Sequence, residues 1–533
     1  METFDYIIVG GGTAGCILAA RLSEDAKRSV LLLEAGGPDN GFWIPIPAGF
    51  SKLLSGAAFN WRFTTEKEEN TGNREIVVPR GKGLGGSTLI NGMIYVRGQP
   101  QDYDGWAQRG ALGWSAADVL PYFQKMETFA APDADPSRGA SGPMNIVRVA
   151  ERPVLSEAFI AAAEEAGYAR NPDYNGPDQE GFGYYQVNQK DGRRWTVVDA
   201  YLRPALGRPN LKVVTRAHVL KLDFSGRRAT DVRYRVGGKD LVAQARGEVI
   251  LTAGAVQSPQ LLELSGIGDP QTLSAAGLPV FHELKGVGNN YRDHFATRMN
   301  WRVKLPITLN EQTRGLKLGK AVAQYFLTRT GILTLGTGLA HGFVKTRPEL
   351  ETPDIQYFFM HASYANAADR ALDHLPGMTI GVTQLRPQSI GSIHVKSADP
   401  FAQPSIRPNF LAVQEDCDSL VGGMKIARTI VEQKAMDPYR AYEMNPGPDV
   451  QSDAQWLEFA RTTGQTIYHP IGTCAMGTGP AAVVDPRLKV HGLDGLRVVD
   501  ASIMPTIVSA NTQAAVMMIA EKAADLIKAD AIE

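Results

Sequence analysis

"YIIVGGGTAGCILAARL", residues 6–22, sets an apolar run, a glycine turn and a helical pattern in immediate succession. The spacing Gly10-x-Gly12-x-x-Gly15 follows residues 6–9 and precedes Ala19, Ala20 and Leu22, which recur at helical intervals. That is the context a dinucleotide fingerprint requires. Glycine at a tight turn lets backbone N–H groups approach a pyrophosphate, and the positive end of the following helix favours its charge. A second apolar run, 29–33, ends in Glu34, 19 residues after Gly15. A carboxylate there accepts hydrogen bonds from ribose hydroxyls and argues against a 2′-phosphate. The stretch therefore predicts a parallel α/β unit holding an ADP-containing cofactor, either NAD or FAD.

Length and composition bound the rest. A chain of 533 residues exceeds one typical core, so one large or two intimately mixed domains are expected. A hydrophobic content of 44% with 21% charged residues is that of an ordinary globular protein. The formal net charge of -1 gives no electrostatic case for nucleic acid or an anionic membrane. Cys16, Cys417 and Cys474 are an odd, sparse set without metal-ligand spacing, which points to a reduced compartment and no metal site. The first strand begins within a few residues of the N-terminus, and no uncharged apolar stretch reaches membrane-spanning length. A soluble, cytoplasmic protein without a secretory signal is expected.

No repeat, low-complexity tract or long linker divides the chain. Residues 248–253, "EVILTA", read as a strand, followed by a glycine, a helix start at Ser258-Pro259 and the apolar "QLLELSGIG". The last forty or so residues repeat the pattern, with a strand at 496–500 and an amphipathic helix from about 512 to 528. Between lie 353–359, 377–385 and 391–397, strand-like and separated by turn residues without βαβ spacing, which read as an antiparallel sheet. The fold class expected is mixed α/β: a Rossmann-like nucleotide-binding domain interleaved with an antiparallel-sheet substrate domain. Both are discontinuous, the first over 1–150, 200–290 and 470–533, the second over 151–199 and 291–469.

Three further stretches carry chemistry. "GKGLGGSTLINGMIYVRG", 81–98, packs glycines among apolar residues, and its Ser87 hydroxyl can donate to a phosphate oxygen. "GAVQSPQLLELSGIG", 254–268, is by itself equally a tightly packed helix. In "TIYHPIGTCAMG", 466–477, the proline biases His469 to extended geometry, off any helix face. About 40 residues later Asn511 opens the terminal helix, where asparagine is also a favoured N-cap.

Together the four stretches resemble the glucose-methanol-choline (GMC) flavoprotein oxidoreductases over essentially the whole chain. "PRGKGLGGST", "INGMIYVRG", "TIYHPIGTCAMG" and "VVDASIMP" are similar in texture to the bacterial alcohol, sorbose and choline dehydrogenase branch. The resemblance implies FAD rather than NAD. It implies that Gly10, Gly12, Thr13, Ala14, Gly15, Gly85 and Ser87 surround the pyrophosphate, with Glu34 and Ala35 at the adenosine ribose. Val219 and Trp61 fall at the adenine end. Asn91, Gly92, Met93 and Ile94 line the flavin side, while Ala253, Asp500, Ala501, Asn511 and Thr512 close over the ribityl chain and pyrimidine ring. The helix starting near Thr512 would turn its partial positive charge toward the flavin N1–C2=O edge. Some relatives attach FAD covalently through a histidine shortly after the glycine run; Ile90 stands there, so dissociable FAD is expected.

The activity so implied is oxidation of a primary or secondary alcohol to an aldehyde or ketone, with hydride passing to flavin N5. His469 is the expected base, since a neutral imidazole accepts a proton near physiological pH. Asn511 is its expected partner, able to orient the substrate oxygen but not to act as a base. The substrate wall is expected from 330–365, with His341, Phe359 and His361 as candidates. A neutral alcohol is preferred over choline, which calls for an aromatic cage and a carboxylate. The electron acceptor is a quinone, another acceptor or O2, the last making the enzyme an oxidase. Two other classes share the sequence features: a non-redox lyase using the histidine as acid and base, and a flavin-binding protein without catalysis.

Overall fold

The computed structural model of the protein describes residues 2–366 and 371–531. These form a mixed α/β molecule built on two seven-stranded sheets. In the first, Glu2–Val9 lies between Val30–Glu34 and Lys239–Leu251, and Leu211–Thr215 extends the Val30–Glu34 side, all in parallel. Val30–Glu34 is buried at every position, as a parallel strand covered on both faces must be. The strand Lys239–Leu251 changes partner along one edge. Its first half pairs antiparallel with Arg228–Val236, and its last three residues pair parallel with Leu496–Val498. The chain thus returns at its C-terminus to the sheet begun by its N-terminus. The helices that follow the first and last strands, Thr13–Leu22 and Gln513–Asp530, pack together, and Arg21 pairs with the fully buried Glu521 at 2.8 Å. Strand order reverses at Glu2–Val9, which opens a crevice beyond the strands' carboxyl ends, where ligands of open α/β sheets bind.

The second sheet runs Arg440–Asn445, Phe295–Val303, Gly377–Gln384, Ile355–Met360, Ala340–Val344, Gly181–Tyr184, antiparallel throughout. Gln465–Thr466 pairs with the first residues of Phe295–Val303. Every strand of the first sheet comes from 1–150, 200–290 or 470–533, and every strand of the second from 151–199 or 291–469.

Two expectations need correction. The strand expected at 391–397 is not in the antiparallel sheet: Ser392–His394 pairs with Ser405–Arg407 in a separate ribbon packed on the helix Gly254–Leu264. The buried Glu263 holds it there, accepting from Val395 N–H at 2.7 Å and meeting His394 Nδ1 at 2.7 Å. That helix in turn starts at Gly254, not at Ser258-Pro259, and carries Pro259 inside it. Proline removes the bond that would close on the Ala255 carbonyl. The Thr473 hydroxyl donates to that carbonyl instead, at 2.6 Å.

No described helix is long and apolar enough to cross a membrane, and the described residues contain no cluster of potential metal ligands. All three cysteines are free and buried.

Candidate active site

A cavity runs from the carboxyl ends of the parallel strands to the face of the antiparallel sheet. At its nucleotide end the glycines have separate jobs. Gly10 has φ +111°, and a Cβ there would lie 2.6 Å from the Thr252 carbonyl oxygen. Gly12, Thr13 and Ala14 form the wall, and no side chain caps the helix that begins at Thr13, so the N–H groups of its first turn are left for a ligand. Gly15 and Gly85, expected beside the pyrophosphate, stand behind that wall. A Cβ on Gly15 would sit 1.9 Å from Gly10 O, so its role is close packing of helix on strand. Gly85 N–H donates to Gly11 O at 2.7 Å and joins the two glycine turns. Their closest point is Gly86, φ +51°, where a Cβ would lie 2.7 Å from Gly12 Cα. Ser87 lines the cavity beside it, its Oγ accepting from Gly81 N–H.

Glu34 and Ala35 line the same end. The Glu34 carboxylate accepts from Gly11 N–H at 2.8 Å and Gly36 N–H at 2.7 Å, and burial pushes its pKa up against those bonds. A third backbone N–H, that of Gly83, also bears on the carboxylate, whose two oxygens offer about four acceptor sites, which leaves one for a ribose hydroxyl. Farther along lie Val219 and Trp61, with Lys82 Nζ 4.1 Å from the Trp61 ring centre.

At the opposite end, Asn91, Gly92, Met93 and Ile94 form the wall. Asn91 is fixed from both sides, donating to Gln513 Oε1 at 2.5 Å and accepting from Arg194 Nη1 at 2.8 Å. Met93 holds a left-handed φ of +65° and Gly92 abuts Thr337, so this segment is closely constrained. Ala253, Asp500, Ala501 and Thr512 complete it. Asp500 accepts from Gly254 N–H, Ser258 Oγ and Ser502 N–H. The helix Gln513–Asp530 also begins on the cavity without a side-chain cap. Two uncapped helix starts, two glycine turns in van der Waals contact and a buried acidic residue fit a dinucleotide with its pyrophosphate at the turns. The residues present therefore fit FAD. Ile90 on the wall offers no nucleophile for covalent attachment.

Strand register brings the residues expected to be catalytic together with a second histidine. Phe295 pairs with Thr466, which sets His294, one residue before its strand, beside His469, three residues after the other. Their Nδ1 atoms are 3.0 Å apart, and both side chains are buried. His294 Nε2 lies 3.0 Å from the Leu385 carbonyl, which only accepts, so Nε2 carries the proton and His294 Nδ1 is an acceptor. His469 must then donate from Nδ1, leaving a lone pair on Nε2. A second chain of bonds reaches the same answer from the other side. Tyr185 O–H donates to Tyr357 O at 2.8 Å, Gln356 Nε2 donates to Tyr185 Oη at 2.9 Å and to Asn511 Oδ1 at 3.2 Å, and Asn511 Nδ2 faces His469 Nε2 at 3.2 Å. Each chain ends on a backbone carbonyl, and both make Nε2 the acceptor on the cavity side. Burial, then His294 and Arg80, hold the His469 pKa well below the usual histidine value. Asp293 Oδ1 accepts from His469 N–H at 2.8 Å and fixes the backbone.

The substrate side differs from expectation. His341, Phe359 and His361 are all off the cavity wall; Phe358, Met360 and Tyr364 are on it. Alternation along Ile355–Met360 turns Phe358 inward and Phe359 outward, where it stacks on Phe159 at 4.5 Å. His361 follows on the outward side. His341 pairs with Phe358 but is covered by Tyr174 and Tyr185, and burial lowers its pKa to about 3. Also on the wall is Arg298, in register with Gly381 and Phe358 across three strands. His294, Gln356 and Arg298 carry no local sequence signal; only strand pairing exposes them.

The chain matches the GMC oxidoreductase family over residues 4–296 and 387–520. It is 42% identical to an oxygen-dependent choline dehydrogenase of Staphylococcus aureus, over 99% of this chain and 94% of that one. Among solved structures it resembles pyridoxine 4-oxidase from Mesorbium loti, with TM-score 0.88, 30% identity and 98% of each chain covered. It also resembles a formate oxidase, with TM-score 0.92, 27% identity and coverage of 99% and 98%. With matches to both parts of the family pattern and relatives spanning almost its full length, the chain belongs to the GMC oxidoreductase family, and it is an FAD-dependent oxidoreductase acting on CH–OH groups.

Proposed function

We propose that the protein oxidises a primary or secondary alcohol without a quaternary ammonium group, and that His469 takes the hydroxyl proton at Nε2. The single observation that carries this is the doubly anchored tautomer of His469, which presents a lone pair to the cavity. FAD, when bound, supplies the hydride acceptor at N5. A substrate hydroxyl that displaces the 3.2 Å bond between Asn511 Nδ2 and His469 Nε2 gives its proton to Nε2 and takes over the hydrogen bond from the Asn511 amide. His469 Nδ1–H keeps its bond to His294 throughout, so the ring does not rotate as it takes up charge. Burial and the guanidinium of Arg80, which is held by a 2.6 Å bond to Tyr468 O, keep the imidazole neutral and ready at physiological pH.

The wall supports the choice of substrate. Among the described residues its only carboxylates are Glu34 and Asp500, both at the nucleotide-binding sheet and both engaged by backbone N–H groups. The antiparallel sheet contributes Ala296, Thr297, Arg298, Phe358, Met360 and Thr379 among others, and none of its described residues on the wall is a carboxylate to pair with an ammonium. Anaerobic mixing with a panel of alcohols, choline included, tests the reading. Loss of oxidised flavin absorbance with uncharged alcohols supports it, and loss with choline alone overturns the substrate class. No loss with any alcohol overturns the reaction. Admitting air afterwards separates O2 from a quinone or other acceptor by the speed of colour recovery.

A further inference from the structure

Away from the cavity, the 14-residue helix Gly315–Thr328 is turned inside out. Only Ala321 and Tyr325 are buried, and they anchor it to the body. At 100° per residue, Leu318, Val322, Phe326, Ala323, Leu316 and Leu327 fill an arc of about 180° on its outer side. Leu316 is 95% exposed and Leu327 83%. The loop beside it adds Phe42, 63% exposed and stacked on Phe326, and the half-exposed Trp43. An apolar surface of this extent on a protein otherwise of ordinary composition marks a contact with something apolar.

Charge identifies the partner. The helix and its two flanking residues carry Arg314, Lys317, Lys320 and Arg329 and no Asp or Glu, although the whole chain is near neutral. Lys320 and Lys317 border the apolar arc on one side, placed to extend along an apolar surface while keeping their charge in water. Arg329 follows at the C-terminal end, its guanidinium 5.5 Å from the Phe326 ring. The nearby carboxylates are engaged elsewhere: Glu311 accepts from Thr308 N–H in the turn before the helix, Asp373 pairs with Arg302, and Glu151 accepts from Gly331 N–H. A large apolar face with a lysine border and an adjoining tryptophan is the pattern of a helix that lies in the plane of an anionic lipid surface. A second copy fits worse, because an isologous contact would bring the same lysines together without a carboxylate between them.

We propose that Gly315–Thr328, with Phe42 and Trp43, is a membrane-interface helix that docks the protein on anionic lipid. The helix lies on the surface and does not span it. Continuity with the cavity follows from the chain: the turn Pro47–Gly49 packs on Ile332–Thr334, and Leu54 and Thr337, a few residues on from each, line the cavity.

The test uses full-length holoprotein and sedimentation with vesicles of phosphatidylcholine alone or mixed with phosphatidylglycerol. Binding to the mixed vesicles is expected. It should fall at least about ten-fold in about 1 M salt, where the screening length is about 3 Å. A Leu316→Glu/Leu327→Glu variant should lose at least about ten-fold in vesicle binding while its flavin is still bleached by alcohol at the wild-type rate. Because all three native cysteines are buried, a Leu316→Cys variant can be labelled selectively with a polarity-sensitive fluorophore, and its emission should shift to the blue on mixed vesicles. No binding to mixed vesicles, binding untouched by the glutamate pair, or an unshifted label overturns the proposal. So does a wild-type dimer in solution that the glutamate pair converts to monomer without any vesicle binding.

Discussion

His294 Nδ1 lies 3.0 Å from His469 Nδ1, and with its other nitrogen committed to the Leu385 carbonyl it can only accept there. His294 is therefore a positioning residue for the base. His294→Leu removes the acceptor and leaves a buried N–H unpaired, which costs about 1–3 kcal/mol and frees the alternative tautomer. We expect kcat to fall about ten-fold or more with KM little changed. His294→Gln, which can accept from His469, should recover much of the loss. Steady-state kinetics of the pair of variants distinguishes this from general damage, which both would share.

His469→Ala should lose about 10²–10⁴-fold in turnover, the usual worth of a general base, with FAD retained. Asn511→Ala should lose less, since orientation is removed but the base remains. Stopped-flow flavin reduction, normalised to the flavin content of each preparation, measures both. Wild-type rates in His469→Ala would refute the mechanism.

Because the folded-state pKa of His469 is depressed, the base is neutral above the ordinary histidine value of about 6.5 and is lost only as pH falls through a lower value. The acid side of the kcat/KM profile should thus stay flat through about pH 6.5 and drop only well below it. Stability follows the same sign. His294 and His361, lowered to about 4 by burial, and His341, lowered to about 3, stabilise the fold above pH 6.5 and withdraw that support as pH falls toward those values. His469 and His218, lowered by burial, and carboxylates held down against burial by arginine and lysine partners, such as Glu24 and Asp530, act in the same direction, while Asp293, raised by burial to about 6, and Glu34, Glu68 and Glu263, also raised by burial, oppose them. Denaturant titrations between pH 4 and 7 should show stability rising with pH, with the slope reduced in His341→Phe.

Gly86→Ala places a methyl group 2.7 Å from Gly12 Cα in a left-handed backbone. The two turns must separate, and the pyrophosphate cradle opens. The variant should purify with much less FAD than wild type, read from the ratio of flavin to protein absorbance, and the flavin of wild-type protein should pass into the supernatant on acid precipitation.

A substrate wall whose described residues include no carboxylate on the antiparallel sheet should disfavour cationic alcohols. Choline is expected to reduce the flavin at least about ten-fold less efficiently than its uncharged carbon isostere, in which a tert-butyl group replaces the trimethylammonium. Arg298→Glu should narrow or reverse the preference. Equal efficiencies in the wild-type protein would refute that preference.

Local patterns in the sequence reveal the nucleotide half well. The fingerprint at 6–22, Glu34 and the Gly85–Asn91 run are contiguous motifs whose spacing is dictated by a turn and a helix start. Even there, Gly15 and Gly85 act in packing and in joining turns, a distinction that only the Cβ geometry reveals. The substrate half is less legible. Whether Phe358 or Phe359 faces inward depends on strand phase, and a one-residue error exchanges faces. His294 and Gln356 meet His469 and Asn511 across more than 150 residues of chain, through pairing partners that no periodicity encodes. The ribbon at 392–407 alternates like a sheet strand, yet the buried Glu263 draws it to the other half.

The strand Leu496–Val498 and the helix Gln513–Asp530 belong to the same sheet and the same cavity wall as the first twenty-two residues. During synthesis, then, the amino-terminal fingerprint emerges from the ribosome long before its partners exist. The cofactor site cannot close until the helix Gln513–Asp530 is made. A product terminated before Asn511 carries every glycine of the motif but lacks the second helix start, so the competence of the enzyme waits on a segment roughly five hundred residues after the fingerprint.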